Sequence, residues 1–441
     1  MNLIPLLLIT LPCVVGVLLL ATSVDRARCW IVWLTTALLM IGVIALTGRY
    51  FAGGLVSFTV GAQALSWAML LASVGMALFV LYVGLRAQRP LIMLLMLAQF
   101  AIMLPLELSY LRETHKLANL FADKLSLIMA AIIGVAGGLI CACAAGYMRE
   151  FHKQRPEIRD RQRVFLSVIY VFLGAMFGVI FSNNLLWMYF FWEITTLAVY
   201  LLISYKLDEL SNRNALRALT MNLAGGIGLA VGIWVFQQHA HSLMLADLLN
   251  PDLSKYALIP AAAFCFAGLT KSAQYPFTRW LLGATEAPAP VAALLQSSAM
   301  VTTGVYLIIR MAPVMHGTAT GVIVAILGAV AFLTGSTTAV LQSDTKKALA
   351  YSTIATLGLI VLCGGIGTIP AVFLAILMAV VHAVAKGLSP FYAGYIPKQC
   401  AGLLGTACGC IGRYLPEARL QRRGNLIAIV LLVGLFLLNL P

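Results

Sequence analysis

The chain has 441 residues, 62% of them hydrophobic and only 10% charged, with a mean hydropathy of +0.97. Soluble domains carry about 25% charged residues, so this composition excludes a soluble globular domain and specifies a polytopic membrane protein. The formal net charge of +14 would suggest a nucleic-acid partner in a soluble chain; here it reads as the Lys and Arg excess that orients membrane helices, and nucleic acid is excluded as a partner.

Apolar runs long enough to cross about 30 Å of hydrocarbon recur along the whole chain. They fall near residues 3–22, 29–47, 64–85, 90–105, 121–146, 164–181, 185–204, 218–237, 257–275, 290–309, 319–341, 348–364, 370–394 and 425–440. The fold class is therefore an all-α polytopic membrane protein of about 14 transmembrane helices. The first run has no basic start, so it is expected to stay as a membrane helix and not to be cleaved as a signal. Cysteines are scattered, and the C-x-C pairs Cys141/Cys143 and Cys408/Cys410 fit neither a zinc knuckle nor an iron–sulfur run. No metal site and no cofactor is expected in this chain.

The basic residues give the orientation. Connections after odd-numbered runs hold 21 of the 29 Lys and Arg, and even-numbered connections and their edges hold 6, among them Lys124 and Arg310. This asymmetry puts the odd connections in the cytoplasm and the N-terminus outside. Two lysines remain, Lys271 and Lys386, and both lie inside apolar runs. The stretch from Arg149 to Arg159 is a solvated cytoplasmic loop, or a docking surface for a soluble partner or for anionic lipid headgroups.

In chain order, the first intramembrane acid is Glu193, nine residues into its run and hence near the midplane at about 1.5 Å per residue. A carboxylate isolated at that depth takes up a proton, and a nearby lysine opposes this. Thr195 and Thr196 could hold water beside it. Lys271 closes the run 257–269 and is followed by Pro276, which predicts an interrupted helix; such breaks are tolerated only where the freed backbone meets protein or water. A charge at that depth costs at least about 3 kcal/mol, so Lys271 needs a partner or belongs to an ion path. Glu286, among Pro288 and Pro290, either caps a helix end or lines an inlet. Asp344, Lys346 and Lys347 read as a charged helix start at a cytoplasmic boundary. His382 and Lys386, four apart, share one helical face, where two cations repel and at most one is charged, an arrangement suited to proton relay.

Several stretches carry a resemblance. Thr-Lys-Ser-Ala-Gln-Tyr-Pro-Phe (270–277), Ala-Pro-Ala-Pro-Val-Ala-Ala-Leu-Leu (287–295), Met-Val-Thr-Thr-Gly-Val-Tyr-Leu (300–307) and Lys-Lys-Ala-Leu-Ala-Tyr-Ser-Thr-Ile (346–354) look like the proton-translocating antiporter-type subunits. These occur in respiratory complex I, Mrp sodium/proton antiporters and membrane-bound nickel–iron hydrogenases. Residues 173–178 and 181–193 resemble most closely the large membrane subunit of energy-converting, CO-induced-type hydrogenases. The resemblance runs from about residue 120 to 395 and leaves 1–119 matched in hydropathy only.

It implies two inverted five-helix repeats, a Glu–Lys pair in the first and a hydrated polar axis through the membrane. Glu193 and Lys271 fall on that pair, His382 and Lys386 on the family's central His-x-x-x-Lys, and Asp344, Lys346 and Lys347 on the motif after the repeat junction. Gln296 stands where the family often has a histidine, and Thr302 where many relatives carry a lysine. The run 425–440 has no charge where the family expects a broken helix with a lysine or glutamate, so the second repeat is expected to be incomplete and the C-terminus truncated. The expected division is N-terminal helices over 1–119, an antiporter-like core with the first repeat over 120–312, a partial second repeat over 313–394, and a divergent loop and last helix over 395–441.

The leading expectation is a proton-translocating subunit of a redox-driven complex in the cell's inner membrane, a hydrogenase or an NADH:quinone oxidoreductase-like assembly. It would hold no redox centre of its own. Its partners would be other membrane subunits, soluble redox subunits on the cytoplasmic side and the lipid bilayer. Two alternatives stand beside it: a member of an Mrp-type Na+/H+ antiporter, or a truncated structural subunit that conducts nothing.

Overall fold

Hydropathy and caps account for the architecture of the computed structural model, which describes residues 4–59, 63–112, 119–250 and 253–400. The chain is a multi-pass helical membrane protein, and among the described residues twelve helices are long and apolar enough to cross a bilayer. In order they begin with α1 (Ile4–Ala21), α2 (Asp25–Tyr50), α3 (Gln63–Arg86) and α4 (Pro90–Arg112). A short antiparallel pair, β1 (Val56–Phe58) with β2 (Leu120–Ala122), closes one end. The fifth span is α5 (Lys124–Ala131), a π-helical turn over Ile132–Gly137, and α6 (Gly138–Gln154).

Then follow α7 (Gln162–Phe181), α8 (Leu185–Ile203), α9 (Glu209–Ala240), the one-turn α10 (Leu245–Leu248) and α11 (Ser254–Lys271). The short α12 (Arg279–Ala284) leads to a broken span made of α13 (Ala289–Ala293), a second π turn over Leu294–Ser298, and α14 (Met300–Met315). The described chain ends with α15 (Ala319–Leu341), α16 (Thr345–Ile366) and α17 (Ile369–Cys400). The expected apolar runs up to residue 394 thus correspond to helices that differ from them in extent. The fifth span runs on to Gln154 instead of 146, α9 starts at Glu209 instead of 218, and α11 stops at Lys271 instead of 275. The fourth continues through Pro105 to Arg112 instead of stopping at 105, and α17 reaches Cys400 instead of 394. The expected loop beyond residue 400, Cys408, Cys410 and the last helix at 425–440 lie outside the described residues.

Side-chain caps fix where several helices start. Asp123, Asn184, Asp208, Thr318 and Asp344 each accept a hydrogen bond from a backbone N–H in the first turn of the helix that follows, satisfying donors that have no intrahelical partner. The α13–α14 span is buried along its length and packs against α11 and α16, α7 and α8 are largely buried too, and α3, α4 and α15 lie at the periphery.

Helix pairs close on small residues, as expected where lipid supplies no hydrophobic drive between helices. Gly321, Gly328 and Gly335 recur every seven residues along α15 and face Gly365, Gly358 and Ala355 of α16 respectively. A Cβ built on Gly328 would lie 2.4 Å from the Leu362 N and 2.6 Å from the Gly358 O. Those are backbone atoms and cannot step aside. Gly328→Ala is therefore expected to cost about 1–3 kcal/mol, the range for overpacking, measurable as a lower thermal midpoint of the purified protein.

Candidate functional site

The site grows from the break after α11. Lys271 is the last residue of that helix; the backbone then turns through Ala273, a non-glycine residue at φ +54°, a conformation that costs about 1–3 kcal/mol. The helix-end carbonyls are retained by local donors. The Ser272 N–H and hydroxyl donate to the Gly268 O, the Gln274 N–H to the Leu269 O at 3.0 Å, and the Trp280 indole N–H to the Thr270 O at 2.9 Å. Every one of these groups is buried, so protein, not lipid, supports the break.

The break aims the Lys271 amine at the middle of α8. The side chain is fully buried, and its Nζ donates to the Trp192 O at 3.1 Å and to Thr195 Oγ1 at 2.5 Å. It also lies 3.9 Å from the centroid of the Trp192 ring, a cation–π placement. Glu193 follows Trp192 directly, but no ion pair within 4.0 Å joins it to Lys271: each helical residue turns by about 100°, so Glu193 leaves on the neighbouring face of α8.

There Glu193 is 9% exposed, and its Oε1 is buried without a hydrogen-bond partner. What makes room for it is Gly226 of α9. A Cβ on Gly226 would lie 2.5 Å from Glu193 Oε1 and 2.2 Å from Gln99 Nε2 of α4. Gln99 in turn donates to the Leu223 O at 2.6 Å and accepts from the Tyr189 hydroxyl at 3.4 Å. The two atoms that a methyl would meet are ends of flexible side chains, so Gly226→Ala is expected to leave assembly intact. It should displace the carboxylate, and any rate that depends on that carboxylate's position should fall about ten- to a hundredfold, because misplacement of about 1 Å is felt on that scale. An unchanged gel-filtration profile of the purified protein checks the first half of this expectation.

A second polar group lies where α13–α14 meets α17. The π turn Leu294–Ser298 leaves the Gln296 carbonyl able to accept from His382 Nε2 at 2.8 Å. A carbonyl cannot donate, so Nε2 carries the hydrogen and Nδ1 is the free acceptor, and Nδ1 is buried without a partner. Gln296 Oε1 and Ser298 Oγ are likewise buried and unpartnered. Each such group costs about 1–3 kcal/mol unless water reaches it, and this cluster is polar enough to order water. The Lys386 amine, one turn from His382 on α17, donates to Ser352 Oγ of α16 at 2.5 Å. The π turn Ile132–Gly137 packs on the same place, with Gly137 opposite Ser298 and Leu294; π turns often occur at functional sites.

The remaining expected site residues are placed as follows. Thr195 holds the Lys271 amine, and Thr196 donates to the Trp192 O at 3.2 Å and lines the Glu193 cleft. Thr302 is buried but spends its hydroxyl on the Ser298 and Ala299 carbonyls of its own helix. Asp344 caps α16, with Lys346 and Lys347 exposed beside it, at the helix start and away from the buried groups. Glu286 sits in the turn between α12 and α13, within electrostatic reach of Lys206. Among the described residues no three His, Cys, Asp or Glu side chains gather as a metal site.

Sequence reasoning missed three groups. Gln99 and Glu107 lie on α4, in the region matched only by hydropathy. Arg310, counted above as an outer edge charge, is instead buried inside α14. It grips Asp123 with both terminal nitrogens and donates to Ser126 Oγ at 2.9 Å and to the Tyr306 hydroxyl at 3.2 Å. Burial alone would raise the Asp123 pKa, but the Arg310 hydrogen bonds and charge, together with Ser126, hold it below the ordinary aspartate value.

The chain is similar to known membrane proteins. Residues 182–401 match the family described as NADH:quinone oxidoreductase/Mrp antiporter, TM. The chain is 36% identical over 306 residues to a Na(+)/H(+) antiporter subunit of Alkalihalophilus pseudofirmus, covering 64% of this chain and 36% of the relative. It is 36% identical over 284 residues to a probable K(+)/H(+) antiporter subunit of Rhizobium meliloti, covering 63% of this chain and 28% of that one. The chain thus spans about a third of the length of the curated relatives it matches. Among solved structures, the Mrp complex from a Dietzia species aligns with a TM-score of 0.59 at 25% identity, over 78% of this chain and 38% of its own. The membrane-bound sulfane sulfur reductase, an archaeal respiratory membrane complex, aligns with a TM-score of 0.68 over 90% of this chain and 71% of its own, at 15% identity. That second likeness is one of fold.

Proposed function

Because the chain is an antiporter-like membrane subunit of the NADH:quinone oxidoreductase/Mrp antiporter family, we propose that it carries protons across the membrane as part of a multi-subunit Mrp-type cation/proton antiporter. The observation that carries this is the Lys271 amine. It is held at the break of α11 by two uncharged acceptors, one residue away from a buried acid.

An ammonium in that position has neutral oxygens and a ring face but no paired carboxylate, whereas Glu193 has a carboxylate oxygen with no donor. The four-carbon stem of lysine allows the amine to leave Thr195 and swing toward Glu193, gaining an opposite charge. Two positions of one amine, differing in which oxygens they satisfy, are two states whose balance a proton or a cation can bias. A proton released from Lys271 then has Gln296, Ser298, His382 Nδ1 and Lys386 as successive polar groups along the buried span. The relatives named for Na(+)/H(+) and K(+)/H(+) antiport support exchange with Na+ or K+, and this reading takes precedence over the redox-driven one expected from the hydrogenase-like stretch 181–193.

The redox-driven reading retains one specific support, the fold likeness to an archaeal respiratory membrane complex over most of that chain's length. The experiment is made on sealed vesicles containing the whole assembly, with an imposed pH gradient and no electron donor. Addition of Na+ or K+ should discharge the gradient. No response to either ion, together with acidification driven by an electron donor, would replace exchange with redox coupling. No response to ions or donor would leave a structural subunit.

A further inference from the structure

Two clefts lie between α3, α4 and α8, and they meet. One is lined by Ser73, Met96, Phe100, Tyr189, Glu193 and Glu107, among others. The other shares Ser73 and Glu107 with the first and extends to Ser66, Tyr110 and Trp187. Ser66 and Ser73 are seven apart on α3, and so are Phe100 and Glu107 on α4, so each helix presents one continuous face to the seam. Ser66 belongs to the first turn of α3, Tyr110 to the last turn of α4, and Trp187 to the first turn of α8. All three helix ends border connections that the distribution of Lys and Arg assigns to the exterior. The seam therefore runs from the outer surface to the midplane acid, and among the described residues Glu107 is the one carboxyl along it before Glu193.

We propose that Glu107 is a proton relay between the outer aqueous face and Glu193, reached through the α3–α4–α8 seam. This rests on the translocation reading above and adds the outward route to it. A proton arriving from outer water binds the Glu107 carboxylate and passes to Glu193 along water in the cleft or by way of the Tyr189 hydroxyl. Glu107 is then left ionised for the next proton. Glu107 lies about 8 Å below the end of α4, and Glu193 about 12 Å below the start of α8, at 1.5 Å per residue. Without an acid at the first depth, a proton would have to cross Met- and Phe-lined space unaided.

The test uses the intact assembly in vesicles, with proton flux as the readout. Glu107→Gln should lower flux at least tenfold, whereas Glu107→Asp, which keeps the proton-binding group, should retain most of it. Ser73→Cys should react with a membrane-impermeant thiol reagent applied outside, above the background of the parent protein, and the adduct should block flux. Flux within twofold of the parent in Glu107→Gln overturns the relay. So does Ser73→Cys that is unreactive from outside, the result expected of a groove filled by lipid tails, and this arm decides the matter if Glu107→Gln fails to assemble. Lys271→Ala serves as the separate control: unimpaired flux in that variant removes the translocation reading itself, whatever Glu107 shows.

Discussion

Lys271→Ala is expected to lower cation-linked proton flux by at least about a hundredfold, the lower end of what a positioned proton-transfer group contributes, with the assembly still forming. Stability should hold because the groups left behind keep partners. Thr195 Oγ1 still donates to the Trp192 O at 2.6 Å, and so does Thr196 Oγ1. Removing the amine also removes a charge that has no countercharge within 4.0 Å among the described residues. Lys271→Arg separates two roles. Arginine preserves the positive charge but does not release its proton near neutral pH. A carrier is lost in both variants; a static charge is lost only with alanine. Flux in Lys271→Arg close to the parent's would show that the amine acts by its field and not by its proton.

The largest stability effect is expected at Asp123. Asp123→Ala should cost about 3–5 kcal/mol, the range for leaving the other half of a buried ion pair uncompensated. Arg310 would keep Ser126, Tyr306 and the faces of Phe121 and Tyr306, none of which carries a negative charge. Adding Arg310→Met should restore part of the loss, and thermal midpoints of the two single variants and the double variant measure the coupling.

The pH dependence has a definite sign. The folded pKa of Asp123 lies below its unfolded value, near about 3.9 in model peptides. The pair therefore contributes fully above that value, and its contribution is lost as pH falls through the lower, folded pKa. Asp123→Asn should flatten the acid limb of the stability profile in that window, and an unchanged limb would assign it to other carboxylates.

How much of this was legible in the sequence depended on whether a feature needed a distant partner to be seen. Spans, the break after Lys271 and the shared face of His382 and Lys386 follow from local hydropathy, Pro276 and four-residue spacing. That the Lys271 amine meets one face of α8 while Glu193 leaves on the next, without an ion pair, does not. It depends on Gly226 admitting the carboxylate and on where the broken helix ends. Arg310 looked like a boundary charge because the apolar window stops there, and only the fold reveals Asp123 opposite it. Ending the fourth span at 105 placed Glu107 outside it; the helix continues past Pro105 and carries that acid into the seam. The π turns leave no compositional mark, since one extra residue per turn alters hydrogen bonding and not hydropathy. The seven-residue glycine spacing along α15 was readable, but its meaning required α16 in place.

That glycine contact has a mechanical corollary. With backbone resting on backbone at Gly328 and Gly358, α15 and α16 cannot slide past each other and must tilt as a single stiff strut. Ser352, which cradles the Lys386 amine, belongs to that strut. A neighbouring protein leaning on the outward apolar flank of α15 would therefore have leverage on the grip around Lys386, 34 residues further along the chain than Ser352.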